Sequence, residues 1–97
     1  MASPFHIIKV QAGNTFFIGR NDDCDLVLPD RLVSRRHAQI DKAGDDWILK
    51  NLSLTTGTRV NGNSIDKVIL QDDDILLVGL QQIRVFIKNG GLTLQHI

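Results

Sequence analysis

The sequence predicts an all-β fold, an antiparallel sandwich of short strands. Three observations point there. About nine short apolar runs are separated by turn signals every 8–12 residues or so, the rhythm of sandwiches and barrels. No stretch long enough for a helix repeats its apolar positions at a helical period. All 11 acidic residues are Asp and none is Glu, and Asp suits turns better than helices.

The elements follow in chain order. Phe5 to Val10 and Thr15 to Ile18 flank the turn Ala12-Gly13-Asn14 and read as a hairpin. Leu26-Val27-Leu28 is a short buried strand closed by Pro29-Asp30. Ala38 to Lys42 alternates, turns at Ala43-Gly44-Asp45-Asp46, and returns through Trp47-Ile48-Leu49 as a second hairpin. Arg59-Val60-Asn61 is a brief strand before the Gly62-Asn63 turn. Val68-Ile69-Leu70 leads into Asp72-Asp73-Asp74, which reads as a solvated turn. Calcium would need wider-spaced oxygen ligands and usually a bidentate Glu, so no metal is expected there. Ile75 to Val78 and Ile83 to Ile87 form the last hairpin through Gly79-Leu80-Gln81-Gln82. Residues 1–90 read as one domain, and 91–97 as a linker or the start of a following domain, as if the chain were a piece of a longer protein, although the alternation from Leu92 to Ile97 equally fits a last edge strand of this domain.

The 97 residues suit a single domain, and a hydrophobic content of 42% suffices for a core. The formal net charge of +0 argues against a non-specific binder of nucleic acid or of membrane surfaces. The lone Cys24 excludes an internal disulfide and a Cys-based zinc site, and reads as a plain loop residue in a reducing, cytoplasmic setting. No apolar run approaches a membrane span, and no signal peptide is visible.

The chemistry concentrates in Val33-Ser34-Arg35-Arg36-His37-Ala38. Arg presents a rigid fork of donors that matches phosphate and carboxylate. Five of the six Arg residues, at 20, 31, 35, 36 and 59, fall in the central region, whereas the Lys residues are scattered. Neighbours in an extended chain face opposite ways, so Arg36 reads as surface beside Arg35. His37 has neither a nucleophile nor a carboxylate partner spaced for acid–base work, so no catalytic residue is expected.

Gly19-Arg20, Asp25-Leu26-Val27-Leu28, Val33-Ser34-Arg35-Arg36-His37-Ala38, Asn51-Leu52-Ser53 and Gly57-Thr58-Arg59-Val60-Asn61-Gly62 together resemble the forkhead-associated (FHA) domain family in order and spacing. The resemblance covers roughly residues 5 to 88. It implies an eleven-strand sandwich whose loops at one end bind phosphothreonine peptides, a mode of phosphate recognition by Arg clusters. It implies phosphate contacts from Arg20, Ser34, Arg35 and Thr55, and peptide contacts near Leu32, Arg31 and Thr56. Gly19, His37, Gly57, Asn61 and Gly62 would be structural support, with His37 bracing the binding loops. One position departs from the pattern: Thr56 stands where the family has an Asn that grips the peptide main chain. A hydroxyl has one donor and a shorter reach than an amide.

The resulting expectation is a non-enzymatic, monomeric phosphothreonine-peptide module for signalling interactions. It needs no cofactor or metal and contacts no nucleic acid or membrane. The alternative is an FHA-fold interaction domain whose phosphate dependence is weakened or lost, which Thr56 favours.

Overall fold

The computed structural model describes residues 7–97. Two sheets pack face to face. One holds six strands in the order β1 (Ile7–Val10), β11 (Gly91–His96), β10 (Gln81–Lys88), β9 (Ile75–Val78), β6 (Thr58–Val60) and β7 (Asn63–Ile65). The other holds five, in the order β3 (Leu26–Val27), β2 (Phe16–Gly19), β4 (Ala38–Ala43), β5 (Asp46–Asn51) and β8 (Lys67–Ile69). Every pairing is antiparallel except β2 with β3. The all-β sandwich expected from the sequence is what forms, with no helix among the described residues.

Alternation builds the core. Ala38 and Ile40 on β4 and Trp47 and Leu49 on β5 point inward, and Gln39, Asp41 and Ile48 point out. Ile83 and Val85 on β10 and Leu92 and Leu94 on β11 meet them from the opposite sheet, all four fully buried.

Three expectations need correction. β1 and β2 are not a hairpin: β1 pairs with β11 and β2 with β4, so the Gly13 turn carries the chain across the sandwich. The Phe5 and His6 end of that first run lies outside the described residues. Residues 91–96 are not a linker, because β11 lies inside this sheet between β1 and β10, where burial of Leu92 and Leu94 rewards the pairing. The Asp72–Asp74 turn is more than solvated: Asp74 is buried, taking hydrogen bonds from Asn61 Nδ2 and the Gln71 amide, both at 2.8 Å.

Asn61-Gly62 closes the β6–β7 hairpin. Val60 pairs with Asn63, which leaves two turn residues, with φ of 52° and 85°. Two successive positive φ values are what a type I′ turn demands, and Asn-Gly meets that demand at least cost.

Candidate functional site

Three connections converge at one end of the sandwich: the turn after β2, the loop from β3 to β4, and the loop from β5 to β6. Between them lies an open groove of about 420 Å³. Its walls are Arg20 from the first, Arg31, Leu32, Val33, Ser34 and Arg35 from the second, and Thr55 and Thr56 from the third. All seven residues expected to contact phosphate or peptide therefore line one groove, although no sheet pairing joins the three loops directly.

Backbone hydrogen bonds hold the first two connections together. The Arg20 amide donates to the Ser34 carbonyl at 3.0 Å, and the Asn21 amide to the Arg35 carbonyl at 3.1 Å. Arg20 and Ser34 are thus fixed relative to each other through the main chain, which suits convergence on one anion. Asp30 shapes the same loop from within. Its Oδ1 accepts from the Leu32 amide at 2.9 Å and its Oδ2 from Gln81 Nε2 at 3.1 Å. These hydrogen bonds, the Leu32 amide first, hold the carboxyl below its ordinary 3.8.

His37 is fully buried behind the groove and locks the second loop to the third. The Ser34 amide donates to Nδ1 at 3.0 Å, so Nδ1 is the bare acceptor nitrogen. The hydrogen is therefore on Nε2, which donates to the Gly57 carbonyl at 2.6 Å. Burial pushes the imidazole below its ordinary 6.5, only partly opposed by the Gly57 hydrogen bond. The unfolded chain takes up a proton near 6.5 while the folded chain resists it, so stability falls as pH drops below that value. Thermal melts between pH 7.5 and about 5 are expected to show this loss, and His37→Gln to remove that part of the slope. An unchanged pH profile in His37→Gln would show that His37 is not the titrating group.

Sequence reasoning missed the hub of the third loop. Ser53 Oγ lies 2.8 Å from Ser34 Oγ and 3.5 Å from Thr55 Oγ1, and it accepts from the Thr55 and Gly57 amides at 3.4 and 3.3 Å. Asn51 supports it, with Oδ1 accepting from the Ser53 amide at 3.1 Å and from Thr58 Oγ1 at 2.8 Å. A lone Ser in a polar loop carries no signal of its own; only its place in the Asn51-Leu52-Ser53 fragment hinted at it.

The electrostatics are one-sided. Among the described residues, the Arg20, Arg31 and Arg35 side chains form no salt bridge and no hydrogen bond, and no carboxylate lines the groove. Arg36 behaves differently. It faces away, paired with Asp23 at 3.1 Å and stacked 4.2 Å from the Phe17 ring centroid. Asn61 and Gly62 do not line the groove; Asn61 instead ties β6 to Asp74 and Ile75. Cys24 is not a plain loop residue: it is buried, its thiol donates to the Arg35 carbonyl at 3.3 Å, and burial, with Asp23 nearby, raises its pKa above 9.0. No group of ligands suited to a metal ion occurs among the described residues.

Three guanidiniums with no internal partner thus lie beside the hydroxyls of Ser34 and Thr55 at one end of the sandwich, a donor set whose chemistry suits an anion. The chain belongs to the FHA domain family, whose model matches residues 16–79. FHA domains are interaction modules. Over 68 residues the chain is 40% identical to the FHA domain-containing protein FhaA of Mycobacterium tuberculosis, covering 70% of this chain and 13% of that protein. It is 33% identical to the oxoglutarate dehydrogenase inhibitor of Corynebacterium jeikeium over 72 residues, 74% of this chain and 49% of that one. The chain thus spans less than half the length of either relative. A solved FHA domain, from work on phosphothreonine-dependent FHA interactions, superposes with a TM-score of 0.76 at 35% identity, covering 81% of each chain. The FhaA FHA domain, crystallised with an intracellular domain as partner, superposes at 0.70 with 30% identity, covering 89% of this chain and 82% of that one. No helix among the described residues is long and apolar enough to cross a membrane.

Proposed function

We propose that this domain reads phosphothreonine in a partner protein and does no chemistry on it. The observation that carries the reading is the groove lined by unpaired Arg20, Arg31 and Arg35 and free of carboxylates. A phosphate brings a charge near −2 and three strong acceptors, so it suits several fixed cations where an unmodified threonine offers them nothing. Arg20, Arg35, Ser34 and Thr55 take the phosphate; Leu32, Arg31 and Thr56 face the flanking peptide. Gly19, His37 and Gly57 hold the loops in place. The phosphothreonine-dependent interactions of the solved relative support the phosphothreonine reading. The wider setting in this reading is cytoplasmic signalling, with the domain monomeric and free of cofactor.

Calorimetric titration with a phosphothreonine peptide and its unmodified twin tests it. Phosphate-dependent binding without turnover is the expected result. Equal binding of both twins would favour the second reading, a phosphate-independent interaction surface, for which Thr56 in place of the family Asn is the motivating feature.

A further inference from the structure

Thr56 does something in this fold that the family Asn does not explain. Its hydroxyl donates to the Leu32 carbonyl at 2.8 Å, across from the β5–β6 loop to the β3–β4 loop. A threonine hydroxyl has one hydrogen, and this bond uses it; two lone-pair directions remain. The Leu32 main chain is held from a second side as well, its amide donating to Asp30 Oδ1 at 2.9 Å. Leu32 itself is exposed, with its side chain in the groove wall.

We propose that Thr56 is a positioning residue that clasps the Leu32 carbonyl, making the two loops one continuous wall, and that it meets the bound peptide only as a hydrogen-bond acceptor. The peptide group it selects is then a main-chain N–H, where an Asn amide could also have donated to a carbonyl. The wall places the Leu32 side chain at a set distance from the phosphate, so the clasp couples the grip on the main chain to the choice of flanking residue. This rests on the phosphothreonine reading of the same groove.

The test has two arms. In the first, a phosphothreonine peptide is compared with a set in which each flanking amide N–H is replaced in turn by an ester oxygen. For wild type, one ester is expected to cost about two- to tenfold in affinity, the worth of one net hydrogen bond. Thr56→Val, which keeps the shape and removes the oxygen, should bind amide and ester alike at that position, and Thr56→Ser should restore the difference. Indifference of wild type to every ester, or discrimination that survives in Thr56→Val, overturns the acceptor role. The second arm needs no peptide. Amide hydrogen exchange at Leu32 and Val33 should quicken in Thr56→Val and recover in Thr56→Ser; unchanged exchange overturns the clasp. Failure of the phosphate reading would look different, because wild type would then bind the phosphorylated and unmodified twins equally while the exchange arm still decided the clasp.

Discussion

Replacing Arg20 with Ala is expected to weaken phosphothreonine-peptide binding by about tenfold to a hundredfold. A charge-assisted contact contributes about 1.5–3 kcal/mol, and each factor of ten in affinity is about 1.4 kcal/mol. The side chain makes no internal bond among the described residues, so its loss should leave the melting temperature nearly unchanged. Arg36→Ala is the matched control. It removes the same charge from a residue that faces Asp23 and Phe17 instead of the groove, and it should alter affinity only about twofold, within the small worth of an exposed ion pair. Wild-type binding should weaken with salt, and should fall below about pH 6 as the phosphate takes its second proton. If Arg20→Ala and Arg36→Ala lose the same amount, the effect is diffuse charge rather than a phosphate contact, and the site assignment fails.

Some of this was legible in the sequence and some was not, for physical reasons. The β4–β5 hairpin could be read because its alternation and its Gly44 turn are local. Arg20, Ser34 and Arg35 could be picked out because their fragments match the FHA pattern, whereas by residue type alone an Arg at a strand end reads equally well as a solvated side chain; the structure brings all three to one groove. Which sheet a strand joins is not local information, so the turn at Gly13 predicts a β1–β2 hairpin that does not form, and the Asn89-Gly90-Gly91 turn predicts a domain boundary where β11 instead continues the sheet. The short strand β7, Asn63-Ser64-Ile65, carries almost no apolar signal and exists because the Asn61-Gly62 turn folds it back on β6. The site's inner bracing was the least visible part. Ser53, Asp30 and Cys24 are ordinary turn or loop residues by type. Their roles come from partners distant in sequence: Ser34, Gln81 and the Arg35 carbonyl. The direction of the Thr56 hydrogen bond belongs with these, since only the position of the Leu32 carbonyl determines it.

Gly19→Ala is expected to be the most damaging single substitution for stability near the site. Gly19 ends β2 at its pairing with Val27, and its carbonyl accepts from the Leu28 amide at 2.8 Å. A methyl group there would run into the Arg35 carbonyl oxygen and sit 2.9 Å from both the Arg35 carbonyl carbon and the Cys24 sulfur. The sulfur could rotate away; the carbonyl is main chain and already accepts from the Asn21 amide and from Cys24. Relief therefore requires parting the end of β2 from the Arg35 segment, which strains the two backbone bonds that set Arg20 against Ser34 and Arg35. Overpacking of this kind costs about 3 kcal/mol, the upper part of its usual range. For a domain of this size that is a fall of roughly 12–24 °C in melting temperature, at about 4–8 °C per kcal/mol. Phosphopeptide binding should be lost along with it, because the cations no longer converge. Gly91→Ala is the comparison, since a Cβ there lies no nearer than 3.4 Å to any neighbour and φ is not positive. It should change stability by about 0.5 kcal/mol or less, the usual range for a surface change. Scanning calorimetry of the two variants beside wild type decides it: a Gly19→Ala protein that melts with Gly91→Ala would mean that β2 and the Arg35 loop do not meet this closely, and that the Arg20–Ser34 and Asn21–Arg35 backbone bonds do not depend on this glycine.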